Sequence, residues 1–232
     1  MSAILDTLVA TGVFLAGMAA RLGLVIAVML VLLVAVALLA GGVRAVRALE
    51  LRLQGYRAAG RLRFRDGLRY APGHTWVKAG GDRLRVGLDD LGQGLLPWAV
   101  AVELPRAGRV VREGEPVARI SCGAQEAWVT SPVSGTVVAA NEAVVREPTR
   151  VKGDCYGAGW LFEVAPDGTA WRSLPGGEAA RAWLQSEGER LGRFYEEHLG
   201  YAAADGGELI GPPPSLLGAA QWREVREAFL RS

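Results

Sequence analysis

The sequence predicts a mainly β module that follows an N-terminal membrane-spanning helix and is closed by C-terminal helices. Three observations predict it. Leu22 to Val43 contains no charged residue. Arg83 to Val164 holds short runs of strand type separated by Gly, Pro, Asn and Asp, the punctuation an all-β module requires. Beyond Gly177, apolar residues recur at helical spacing instead. Half of the 232 residues are hydrophobic, ample for a core, and the formal net charge of +2 gives no argument for a nucleic-acid partner.

The uncharged stretch of 22 residues makes a helix of roughly 33 Å, enough to cross a hydrocarbon core. Val, Leu, Ile and Ala fill it on all sides, so it lacks the polar face of a surface helix. Residues 1–21 are also apolar and either extend this helix beyond the bilayer or lie at its interface. Arg21 then either snorkels to the headgroups or meets an acidic group of another membrane subunit. The following flank carries Arg44, Arg47, Arg52, Arg57, Arg61, Arg63, Arg65 and Arg69 against Glu50 and Asp66. The positive-inside rule therefore predicts a single-pass membrane protein with its soluble domain in the cytoplasm. No basic residue precedes Arg21, which argues against a cleaved signal peptide. Residues 44–66 read as a basic juxtamembrane helix and linker. Ala45 to Ala59 carries an apolar stripe of Leu49, Leu53 and Tyr56, and Gly60 closes it. Arg44, Arg47, Arg52 and Arg57 would face the lipid bilayer.

The β module is expected over 67–199. Its strand-type runs are Arg83 to Val86, Ala99 to Leu104, Pro116 to Ile120, Ala127 to Thr130, Gly135 to Ala139 and Leu161 to Val164. Val86 to Gln93 suits a short helical turn with Asp89 as its cap. Turns are expected at Gly108 and Gly114, and at S-P-V-S-G, where Gly135 is expected to tolerate a positive φ. Gly177 to Leu199 reads as an amphipathic helix bearing Trp183, Leu184, Leu191, Phe194 and Tyr195. The 200–232 tail combines a Gly- and Pro-rich linker with a last helix, Ala219 to Arg231, carrying Trp222, Val225 and Phe229.

The order of short motifs is more specific than any one of them. Tyr70, His74, Trp76 and Val77 form Y-x-x-x-H-x-W-V. Val86 to Gln93 reads V-G-L-D-D-L-G-Q, and Val102 to Gly108 reads V-E-L-P-x-x-G. S-P-V-S-G (Ser131 to Gly135), Asn141 and Y-G-A-G-W-L (Tyr156 to Leu161) follow. This series resembles the H protein of the glycine cleavage system, within the lipoyl-domain superfamily. The resemblance implies a lipoyl-type barrel-sandwich hybrid. It also implies a carrier rather than an enzyme: a lipoyl arm on a lysine moves an aminomethyl group between partner enzymes. In the family the segment before S-P-V-S-G reads E-S-V-K-A, and its lysine bears lipoate. The corresponding residues here are Ser121, Cys122, Gly123, Ala124 and Gln125. Ala124 stands where the lysine belongs, so no lipoate is expected. The only lysines, Lys78 and Lys152, lie away from the expected hairpin tip.

No catalytic set is legible. His74 and His198 have no metal-ligand spacing around them, and no phosphate-binding Gly-rich motif occurs. Cys122 and Cys155 are either inert small side chains or redox-active thiols near the tip. Trp98 and Trp128 form either a docking patch or packing under the tail. Trp222 and Phe229, on the tail helix, either fold back on the domain or anchor a partner. The leading expectation is a membrane-tethered, non-lipoylated scaffold that docks protein partners in a membrane-associated complex. The alternatives are a genuine lipoyl carrier and a membrane-fusion-type export adaptor. The adaptor family, however, splits its lipoyl halves with a long helical hairpin, whereas this module is contiguous.

Overall fold

A computed structural model describes residues 2–53, 55–200 and 214–230, apart from some side chains of the first helix. It divides into two compact units, Met1–Gln54 and Gly55–Ser232. The first unit is one continuous helix, α1 (Ser2–Leu53). Among the described residues, one stretch of it, Met29–Val46, is long and apolar enough to cross a membrane by length and composition. Arg44 is exposed on α1, whereas the side chains of Arg47 and Arg52 lie outside those described.

The second unit starts earlier than the sequence suggested. The helix expected over Ala45 to Ala59 stops at Leu53, and a hairpin follows, β1 (Tyr56–Ala59) and β2 (Leu62–Arg65). Gly60, with φ +60°, takes the first position of the two-residue turn, a place that favours glycine. Ala59 and Phe64 are buried, while Arg57 and Arg63 stay exposed. Arg57 thus belongs to the β module, not to a juxtamembrane helix, and its Nε lies 2.6 Å from Asp66.

In chain order there follow β3 (Arg69–Ala71), β4 (Thr75–Gly80), β5 (Arg83–Leu88), α2 (Asp90–Leu95), β6 (Ala101–Glu103) and β7 (Val110–Val111). Next come β8 (Pro116–Cys122), β9 (Gln125–Thr130), β10 (Gly135–Ala140), α3 (Glu142–Arg146), α4 (Arg150–Gly153) and β11 (Phe162–Pro166). Two longer helices end the chain, α5 (Gly177–Leu199) and α6 (Ala219–Phe229). One antiparallel sheet has the order β3-β4-β5-β11-β10-β7, and a second has β6-β8-β9. Inward residues of both sheets, such as Val77, Leu84, Val86, Ile120, Ala127, Val129 and Val164, form one core with Leu91 and Leu95 of α2. A second cluster joins the β1–β2 hairpin to α5 through Phe64, Tyr70, Trp76, Tyr156 and Leu184.

Local chemistry explains several of these elements. The Asp89 carboxylate accepts from the Gly92 N–H at 2.8 Å, so α2 begins where its cap was expected. The Asn141 side chain caps α3 and also donates to the carbonyls of Ala158 and Trp160, tying α3 to the loop that leads into β11. Trp76 donates its indole N–H to Leu88 and Cys155, and Gly87 leaves room for its ring, since a Cβ there would sit 2.5 Å from it. Gly135 takes the positive φ expected of it, +159°, but within a strand. It is a strand residue between Val111 and Pro166, and a Cβ there would meet the Ala165 carbonyl at 2.2 Å. Close backbone approach and the positive φ together require glycine at that place.

The tail helix folds back on the domain. Trp222 and Phe229 are 2 % and 1 % exposed, beside buried Val225 and Leu230. The Trp222 indole N–H donates to the Leu95 carbonyl at 2.9 Å, and Arg226 donates to the Glu126 carbonyl at 2.6 Å. Trp222 and Phe229 are therefore core residues in this structure, a correction to their reading as docking anchors. Tyr201 to Pro213, most of the expected linker, lies outside the described residues.

Candidate functional site

The site is built on the β8–β9 hairpin. Cys122 pairs with Gln125 at the end of the ladder, leaving Gly123 and Ala124 as a two-residue turn. Gly123 has φ +70°, the conformation a tight hairpin needs at its first turn position. Ala124 is exposed at the tip. The position that resembles the family's lipoyl lysine is thus a projecting turn, sterically suited to an arm but here ending in a methyl group.

Around the tip, the sheet's outer face carries a strip of charge. Arg119 lies between Glu103 and Glu126, donating to Glu126 at 2.9 Å and also to Glu103. Trp128 stands opposite Arg119 in register and is 39 % exposed. Trp98 is 69 % exposed and Val100 65 %. Trp98 borders an open cleft of about 640 Å³ with Thr149, Arg150, Lys152 and Asp154. The Lys152 Nζ donates to the Gln93 carbonyl at 3.1 Å and to that of Leu96, fastening α4 to the end of α2. Burial lowers its pKa. Lys78 is exposed on β4.

The two cysteines are not brought together. Cys122 packs in the core between the sheets, whereas Cys155 belongs to the second cluster. Burial pushes the Cys122 thiol up to about 11 and raises that of Cys155 as well. Thiolate is the reactive form, so this geometry corrects their reading as redox thiols.

His74 is bound on both sides. Its Nδ1 lies 3.0 Å from the Asp89 carboxylate and its Nε2 3.4 Å from Glu187 on α5. The ring stacks on Trp183 at 5.3 Å. Burial opposes its charge, but Asp89 and Glu187 outweigh it and hold the imidazole at about 9. The hydrogen bond from His74 holds Glu187 low, at about 2. The motif reading of His74 as a structural hydrogen-bonder matches this geometry. Glu187 as its second partner had no sequence signal, because 113 residues separate the two.

The Glycine cleavage H-protein family model matches residues 68–187. A glycine cleavage system H protein of Thermus thermophilus is 39 % identical over 97 residues, covering 42 % of this chain and 76 % of that protein. That of Methylococcus capsulatus is 43 % identical over 102 residues, covering 44 % and 80 %. Among solved structures, the H protein of Mycobacterium marinum is 29 % identical, with a TM-score of 0.47, over 53 % of this chain and 99 % of that one. The matched span holds the hairpin and every motif from His74 to Trp160, and the chain belongs to the glycine cleavage H-protein family.

Proposed function

We propose that this chain is a membrane-tethered H-protein-like module that carries no lipoyl group and works by docking proteins at a membrane. Ala124 at the exposed hairpin tip carries the reading. An alanine methyl offers no nitrogen for the amide that would hold lipoate. Neither lysine stands in for it: Lys152 holds two carbonyls with its amine, and Lys78 lies within β4 rather than at a turn. α1 supplies the tether, and the arginines from Arg44 to Arg69, which begin within its last turns, orient the module to the cytoplasm. With Trp222 and Phe229 buried, the docking anchors reduce to Trp98 and Trp128. A genuine carrier is the second reading, favoured by the 39–43 % identity to proteins named glycine cleavage system H protein.

One measurement separates the two. The full chain, co-expressed with a lipoylating system, is weighed intact and then as peptides. The unmodified mass is expected. A lipoyl increment on Lys78 or Lys152 refutes the scaffold reading and supports the carrier.

A further inference from the structure

The outer face of the six-stranded sheet carries a second constellation, far in sequence from the tip. Register sets Lys78 of β4 opposite Arg85 of β5, and Arg85 opposite Glu163 of β11. Arg83 stands opposite Gly80. These residues and Ala79 line a depression of about 270 Å³. Gly80 lines it without a side chain, and a Cβ added there would meet nothing within 4 Å.

Its charges do not balance. Arg85 is committed, donating Nε and Nη2 to one Glu163 oxygen at 3.1 and 2.9 Å and lying 4.7 Å over the Trp160 ring. Arg83 reaches only 3.6 Å from Asp82 and 4.0 Å from Glu163. Lys78 has no ion-pair partner among the described residues and is exposed. Three cations thus surround one lining carboxylate, with exposed Asp82 the second acidic group in reach of Arg83. Like charges directly opposite on neighbouring strands destabilise a sheet, and a bound anion removes that repulsion. An ammonium and a guanidinium with free N–H groups on a concave floor suit a compact oxyanion with several acceptors.

We propose that this depression binds a phosphate group, held by Lys78 and Arg83, with Arg85 kept in place by Glu163 and Trp160. The group belongs either to a soluble phosphate or to a phospholipid headgroup. This inference is independent of what the hairpin tip carries.

Acetylation of the lysines tests it, because the chain has only two. Lys152 is the internal control, since its amine is occupied by two carbonyls. The full chain is placed in phosphatidylcholine nanodiscs and acetylated in inorganic phosphate or in sodium chloride of equal ionic strength. Peptide mass spectrometry reads the rate at each lysine. At a phosphate concentration about twice the dissociation constant, Lys78 slows about threefold by mass action while Lys152 keeps its rate. A parallel arm uses nanodiscs containing phosphatidylglycerol without free phosphate. Protection in the first arm assigns a soluble phosphate, and protection only in the second assigns a headgroup. Arg83→Gln and Gly80→Glu remove the protection, the second by placing a carboxylate in the depression. Gly80 is not in a left-handed conformation, so that side chain adds no backbone strain. Equal Lys78 rates in all three conditions, or protection that survives both substitutions, overturns the proposal.

Discussion

Trp222→Ala separates a core tryptophan from a docking one. Trp222 is 2 % exposed, its ring lies 5.5 Å from the Arg226 guanidinium, and its N–H satisfies the Leu95 carbonyl. Truncating a buried aromatic to alanine costs about 3–5 kcal/mol through lost burial and the cavity left behind. Trp222→Phe retains most of the ring but strands the Leu95 carbonyl, and should cost about 1–3 kcal/mol. Trp128, at 39 % exposure, shields far less surface. Trp128→Ala should therefore cost about 1 kcal/mol or less. Urea unfolding in detergent, followed by near-UV circular dichroism, gives the three values. The expected order is Trp222→Ala, then Trp222→Phe, then Trp128→Ala. A Trp222→Ala midpoint equal to that of Trp128→Ala would refute the reasoning, because α6 would then add nothing to the cooperative unit. Partner co-purification should show the opposite pattern, falling with Trp128→Ala or Trp98→Ala in chains that remain folded.

Two further predictions concern buried groups. His74 has a folded pKa raised from 6.5 to about 9. Its contribution to stability is therefore fully present below about pH 6.5 and lost as pH rises through about 9. His74→Gln should flatten the stability profile over that window, and an unchanged profile would show that the imidazole does not titrate there. Neither Cys122 nor Cys155 should react with a thiol reagent in the folded chain at neutral pH, and both should react in urea. Rapid native labelling of Cys122 would restore the redox reading.

Much of the architecture was legible because its causes are local. Asp89 three residues before Gly92 and the apolar spacing of Gly177 to Leu199 each specify an element from neighbours in sequence. The position of Ala124 was legible through the family resemblance, which aligned it with a lysine at a hairpin tip, and the structure shows it exposed at a turn. The β1–β2 hairpin was not. Its arginines and apolar residues suit a basic helix as well as a half-exposed hairpin, and only packing of Phe64 and Ala59 against α5 and Tyr70 chooses between them.

The sequence by itself determined the family, the uncharged helix, six of the strand segments and the absence of a lysine at the tip, all properties of residue type and spacing. Tertiary structure alone decided which side of each ambiguity each side chain took. Trp98, Trp128 and Trp222 are the same residue type, yet one is open, one half-covered and one sealed on the inner face of α6. Burial is set by what arrives from elsewhere in the chain. The Trp222 partner is 127 residues away, and the cation cluster at Lys78, Arg83 and Arg85 exists only once strand register brings two strands and β11 side by side.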